Sequence, residues 1–245
     1  MSKFTYKEPA LPDDCTFRIS PSQIYKFFDY PSVWYRDNFL GENSFKGNTA
    51  SELGTIIHQV AESVAKHESI SKDEVEAYID SIDNPDVDKE VIREHCEDMV
   101  HTLVNNYIIH NMPTDVEYET VAPVSNGVYV GGTVDNRTHD MIVDYKNVGK
   151  KPDTESIPFK YKIQLLAYAY ADKARGIFTD RIRIVYTVRR TKTLPVRVFV
   201  VTEVISDEDW KLIEDTLNLI ADTVTLHKEQ PKLIPYLYKS MELVS

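Results

Sequence analysis

Apolar residues recur at helical spacing through the first 110 positions of the chain and at alternate positions through much of the rest. Ser20-Pro21-Ser22-Gln23 has a serine cap and a proline in the first turn, which predicts a helix through IYKFFDY that stops at Pro31. VWYRDNFLGE follows and ends near Gly41, and a loop rich in Asn, Ser and Gly covers residues 42–51. The next helix is predicted over GTIIHQVAESVAKH, residues 54–67. Ser71 with Glu74 is a capping box that opens a helix to about Ser81, and Asn84-Pro85 is read as the cap of another to about Ile109.

The period then changes. VEYETVAPV and GVYVGGTVD alternate around Ser125-Asn126-Gly127, a hairpin signal, and MIVDYKN reads as a third strand beyond a short polar turn. After a polar loop at 148–158 come the helix FKYKIQLLAYAYADKA and two further strands, RIRIVYTVRR and VRVFVVTEV, joined by TKTLP. Ser206 caps a last long helix to about Glu229. This order predicts an α/β fold: a mixed central sheet of about five strands flanked by helices. With no linker in sight, residues 1–245 are read as a single domain, with a mainly helical lobe over 1–110 and an α/β core over 111–245.

Charge sharpens the picture. The net charge of −11 argues against a protein that coats nucleic acid indiscriminately. Yet residues 146–197 hold thirteen Lys and Arg against four Asp and Glu, a local +9 in a remainder of −20. Such a tract suggests an anionic partner, or basic strand edges that discourage aggregation. Two distant cysteines, Cys15 and Cys96, read as reduced thiols and argue against a cysteine-held zinc or iron–sulfur site. No stretch approaches the roughly 18 apolar residues of a membrane span, and no apolar signal region opens the chain. A cytoplasmic protein, in a bacterial or phage-infected cell, is expected.

The chemistry concentrates at the ends of two strands. Asp135 and Asp144 follow TV and IV, and pairing as a hairpin would bring their carboxylates together. Close carboxylates repel unless a cation lies between them, and hard oxygen ligands favour Mg²⁺ or Mn²⁺. Lys146 shares a strand face with Asp144, beside such a cation. The Tyr145 side chain points the other way, while its backbone carbonyl can still face the metal. The set suits phosphodiester hydrolysis. The plainer alternative makes Asp135 a turn residue in Asp-Asn-Arg-Thr and Asp144 with Lys146 a surface pair.

Four motifs stand in order along the chain: Gly54-Thr-Ile-Ile-His58, Gly132-Thr-Val-Asp135, Asp144-Tyr145-Lys146 and Gln164-Leu-Leu-Ala-Tyr168. In these the chain resembles the RecB-like branch of the PD-(D/E)XK nucleases, over residues 54–168, with a looser echo in SPSQIYKFFDYPSVWY. The resemblance implies that His58, Asp135 and Asp144 are metal ligands and Lys146 the catalytic lysine. It implies that Gln164 and Tyr168, one helical turn apart, orient the lysine or touch DNA, although Tyr168 also reads as core. Among lesser candidates, Glu119 can join the metal shell through a water and Glu62 can orient His58, while His139 reads as a surface turn residue. Arg189, Arg190 and Lys192 are candidate phosphate contacts. Tyr25, Phe27, Phe28, Tyr30, Trp34 and Tyr35 either stack bases or fill a core.

The chain departs from the cluster-bearing members of that branch. Tyr30-Pro31 stands where they carry Cys-Pro, and QPKLIPYLYKSMELVS has no cysteine, so no iron–sulfur cluster is expected. It looks closer to phage nucleases and mitochondrial genome maintenance exonucleases. Asn147 follows the lysine where Thr or Ser is frequent. The resemblance thus implies a metal-dependent deoxyribonuclease, an exonuclease acting on single-stranded or end-containing DNA in recombination, repair or phage DNA processing, beside recombination or replication proteins. The alternatives are a structure-specific endonuclease and a non-catalytic DNA-binding subunit that keeps the fold.

Overall fold

The computed structural model of the chain describes residue 4, residues 8–42 and residues 46–232. Its strands are β1 (Phe17–Ile19), β2 (Asp115–Ser125), β3 (Val128–Thr138), β4 (Met141–Val148), β5 (Arg181–Val188) and β6 (Arg197–Val204). Its helices are α1 (Ile24–Asp29), α2 (Pro31–Phe39), α3 (Thr49–Ala65), α4 (Lys72–Ser81), α5 (Lys89–Asn106), α6 (Phe159–Ala174) and α7 (Asp207–Glu229). The mixed α/β sheet expected from the sequence is present, with a sixth strand, β1, that the sequence pattern did not show; three residues are too few for a period of two to register.

The sheet runs β1-β3-β4-β5-β6, with β2 also on β3. A strand has two edges, and β2 occupies one edge of β3 along almost its whole length. The other edge is shared: β1 pairs in parallel with Val128–Val130, and β4 pairs antiparallel only with Asn136–Thr138. Residues 131–135 of β3 therefore face a gap between two partners. Beyond that gap β4 and β5 pair in parallel over their full length, with α6 as the crossover, and β6 lies antiparallel to β5.

Two apolar cores cover the two faces. On one, Ile24, Trp34 and the inner sides of α6 and α7 pack on Val130, Val134, Ile142 and Ile184. On the other, Leu53, Ile56, Ile57, Ile92, Met99 and Leu103 of α3 and α5 pack on Val143, Tyr145 and Val185. The N-terminal 110 residues thus supply helices to both faces and a strand to the sheet.

Several boundaries differ from the sequence reading for local reasons. α3 starts at Thr49 because Asn48 accepts from the Ala50 and Ser51 amides while Ser51 Oγ accepts from the Asn48 amide; part of the expected loop is helix, and its residues 43–45 lie outside the described residues. Asp88, not Asn84, caps α5, and Asn84 instead closes a turn by accepting from the Asp86 amide. Ser20 makes no side-chain cap bond, and residues 21–23 form a single 3₁₀ turn before α1. Ser71 and Ser206 do form the expected capping boxes.

Candidate active site

Asp135 and Asp144 meet where β3 and β4 part. The last ladder pair is Asn136 with Val143, so the same register sets Asp135 directly opposite Asp144, one step beyond the final pairing. Asp135 is not at a strand end or in a turn, because Asp135-Asn136-Arg137-Thr138 continues β3 and the turn is His139-Asp140, with His139 exposed at φ 54°. The Tyr145 amide, which has no backbone partner on β3, donates to Asp135 Oδ2 at 3.0 Å. The carboxylate thus completes the ladder at the fork, which fixes its orientation.

Each aspartate is reached from a different helical layer. His58 of α3 brings Nδ1 to 3.4 Å from Asp135 Oδ2. Gln164 of α6 donates from Nε2 to Asp144 Oδ1 at 3.4 Å, and Lys146 Nζ lies 2.7 Å from Asp144 Oδ2. The Tyr145 ring packs edge-on to His58 and to Tyr107, and its hydroxyl accepts from Asn136. The four motifs therefore converge, and the glycine of the second has a spatial reason. A Cβ on Gly132 would stand 3.1 Å from Tyr168 Cε1 and 3.3 Å from Pro21 Cδ, and one on Gly54 would touch Asn147. Tyr168 itself is buried in the core against Gly132.

The charges settle one another. Burial pushes the Asp144 carboxyl up, against the pull of Lys146 and with a further push from Asp135, to about 6. Burial also favours neutral Asp135, but the His58 charge and hydrogen bond, with Lys146, hold it below the usual carboxylate range. Burial works against the charged forms of His58 and Lys146, yet the two aspartates raise both above their ordinary values. The result is two opposed ion pairs, His58–Asp135 and Lys146–Asp144.

Other candidates fall elsewhere. Glu119 is held away from the fork, its Oε2 accepting from the Ala10 amide at 3.0 Å. Two residues earlier, Glu117 lines the cleft with His58, Glu62 and Asp135, and the sequence analysis missed it. It stands across β2 from Asp135, between the ladder pairs Val116–Asn136 and Tyr118–Val134, at φ 48°, a left-handed conformation unusual for a side chain in a strand. Burial, then the charges of Asp135 and Glu62, push its carboxyl up to about 8. The V-E-Y-E sequence offers two glutamates on one apparent face, and only the backbone inversion distinguishes them. Glu62 does not orient His58; it accepts from Gln59 and Lys66.

Part of the basic tract is matched by acids. Arg190 pairs with Glu94 and Asp98 of α5. Lys162 pairs with Glu203 and Asp209, and Arg181 with Asp140 and Asp180. The Arg189 guanidinium lies where a Gly149 side chain would be, at the end of β4. Lys192 is exposed in the β5–β6 loop. Of the early aromatics, Trp34 is buried, while Tyr25 and Phe27 pack on the core; Phe28 and Tyr30 are exposed. Tyr35 stacks on Phe39.

The fork suits a hard divalent cation. Its donors are carboxylate oxygens and an imidazole. Asp144 Oδ2 is buried beside Lys146 without a well-directed hydrogen bond. Among the described residues, no three His, Cys, Asp or Glu side chains already converge as a ligand set, and the two carboxylates are engaged by His58 and Lys146. Binding a cation must therefore displace these internal partners. Among the described residues, no helix is long and apolar enough to cross a membrane.

Known proteins bear on this site through family and fold. No curated protein matches the chain. A solved structure from Eubacterium rectale, provisionally named an exonuclease, superposes with a TM-score of 0.62 at 13% identity, covering 86% of this chain and 81% of that one. LHK-Exo in complex with dAMP aligns with a TM-score of 0.39 at 16% identity, covering 80% of this chain and 98% of that one. The profile of the PD-(D/E)XK nuclease superfamily matches residues 18–230, a span that holds every residue of the fork. The chain belongs to the PD-(D/E)XK nuclease superfamily.

Proposed function

We propose that the protein is a metal-dependent deoxyribonuclease of the RecB-like type that hydrolyses phosphodiester bonds at DNA ends. The observation that carries this reading is the fork itself, where two opposed aspartates, a lysine and a histidine from three separated motifs meet, with Gln164 of a fourth on Asp144. Such a reaction fits DNA-end processing in recombination, repair or phage replication.

His58, Asp135 and Asp144, with the Tyr145 carbonyl, would hold Mg²⁺ or Mn²⁺. When bound, that ion supplies Lewis-acid stabilisation of the phosphate and of an attacking water. Lys146 carries a full positive charge at neutral pH, since Asp144 and Asp135 keep it protonated. Its role is then to stabilise the anionic phosphorane and to orient the water through its N–H donors. Gln164 steadies Asp144, and the Tyr145 amide steadies Asp135, so both carboxylates are set before substrate arrives.

End-labelled single- and double-stranded DNA, linear and circular, incubated in Mg²⁺, Mn²⁺ or EDTA, tests the reading. Loss of linear DNA with circles spared is the expected result. Cut circles would make the protein an endonuclease. Intact DNA in every lane, still shifted on a gel, would make it a binding subunit.

Cation affinity is expected to rise with pH. Asp144, with its carboxyl near 6, is mostly neutral below that pH and must lose a proton to bind. His58 titrates above its ordinary value and must also lose one. Both effects have the same sign, so affinity is lost as pH falls through about 6. Calorimetric titration with Mn²⁺ in buffers of different ionisation enthalpy should detect release of about one proton or more per ion near pH 6. An affinity flat between about pH 5.5 and 7.5 would refute cation binding by deprotonated Asp144 and His58.

A further inference from the structure

Phe28 of α1 and Phe159, the first residue of α6, stand out among the aromatics. Phe28 is 41% exposed and Phe159 44% exposed, and their rings meet edge-on at 5.9 Å. Their neighbours Phe27 and Trp34 pack inward, so the core does not need this outer pair. Two residues along α6, the Tyr161 ring carries two cations, Lys160 Nζ at 4.5 Å and Lys146 Nζ at 5.3 Å. The first turn of α6 holds no acidic residue. An open aromatic surface thus adjoins a pair of lysines, one of which belongs to the fork.

We propose that Phe28 and Phe159 form a ledge on which unpaired bases of a DNA strand stack, with Lys160 meeting the phosphates on the path to Lys146. This rests on the nuclease reading and adds a substrate form to it. Aromatic faces bind bases only when those faces are free, which selects a single strand over a duplex. The positive charge beside the ledge matches a phosphate backbone, in a protein whose net charge of −11 repels one elsewhere. The pair of phenylalanines carries no hydrogen-bonding groups, so the ledge would tolerate any base.

Fluorescence anisotropy in EDTA separates binding from cleavage. The probes are a labelled single-stranded 12-mer, an abasic oligomer of the same length, and a duplex. The wild-type protein should bind the 12-mer more tightly than either of the others. Phe28→Ala with Phe159→Ala should weaken the 12-mer about tenfold or more and leave the abasic oligomer unchanged. Phe28→Tyr with Phe159→Tyr should restore the affinity, since the stacking faces return. Equal binding of the 12-mer and the abasic oligomer would overturn the ledge, as would wild-type affinity in the double alanine variant. Cleavage of the same 12-mer by the wild-type protein in Mg²⁺ or Mn²⁺ is scored separately, so the ledge can fail while the nuclease stands, or the reverse.

Discussion

Lys146→Ala is expected to lower the rate of DNA cleavage about a thousandfold while leaving the protein folded. Lysine at this place does two things. Its ammonium lies 2.7 Å from Asp144 Oδ2, and it is the charged donor of the fork that no backbone element replaces. A fixed charge or proton donor aimed at a developing oxyanion is worth roughly 10² to 10⁴ in rate. Its removal also frees Asp144 from its internal partner. That carboxyl, already raised to about 6 by burial, then loses the cation that opposes the rise, and at neutral pH it shifts further toward the acid form. Lys146→Ala should therefore cleave poorly for two reasons that differ in pH dependence. Raising pH can restore the ionised Asp144 but not the lysine charge. The measurement is single-turnover cleavage of an end-labelled strand at about pH 7 and 9, beside thermal melts of both proteins. Partial recovery at the higher pH, still far below the wild type, is expected. Cleavage within about threefold of the wild type would remove Lys146 from the reaction.

The sequence made the chemistry of this fork legible and its backbone only in part. The order of His58, Asp135, Asp144, Lys146 and Gln164 could be read because each sits in a short motif whose spacing is local. The glycines and aromatics of those motifs make sense only in space: Tyr168 follows Gln164 by one turn, yet what it meets is Gly132, on another element. The polar run Asp-Asn-Arg-Thr looked like a turn because polar residues usually leave a strand. Here the first three find distant partners: Asp135 the His58 ring, Asn136 the Tyr145 hydroxyl, Arg137 the Asp172 carboxylate. Such partners lie beyond any window of local periodicity. The same limit explains Glu117. Alternation makes it equivalent to Glu119, and only an inverted backbone turns it toward the cleft. Asp88 was passed over for Asn84 because both precede acidic first turns, and a cap is decided by which side chain the amides reach.

Asp172→Ala is expected to cost roughly 3–5 kcal/mol of stability. Asp172 is fully buried in α6 and accepts from the Tyr118 hydroxyl at 2.8 Å, from Thr120 Oγ1 at 3.1 Å and from Arg137. Arg137, also buried, donates further to Thr179 Oγ1 and to the carbonyls of His139 and Phe178. Removing the carboxylate takes the ion-pair partner from a buried guanidinium and the acceptor from the three hydroxyls of Tyr118, Thr120 and Thr179. The loss of the ion pair itself is the smaller part, because two charges taken from water together recover little. That distinction is testable. Arg137→Met with Asp172→Leu removes both charges, fills the space, and should recover most of the stability that Asp172→Ala loses. Urea unfolding with an unchanged slope would read the difference as stability alone. In a chain of 245 residues the single variant should melt roughly 10 °C lower. The position of the network gives the loss a functional edge. Arg137 lies two residues from Asp135 on β3, and Asp172 lies eight residues from Gln164 on α6, so this pair clamps the two elements that bear the fork. A cost below about 1 kcal/mol would mean that apolar packing, and not this network, holds β3 against α6.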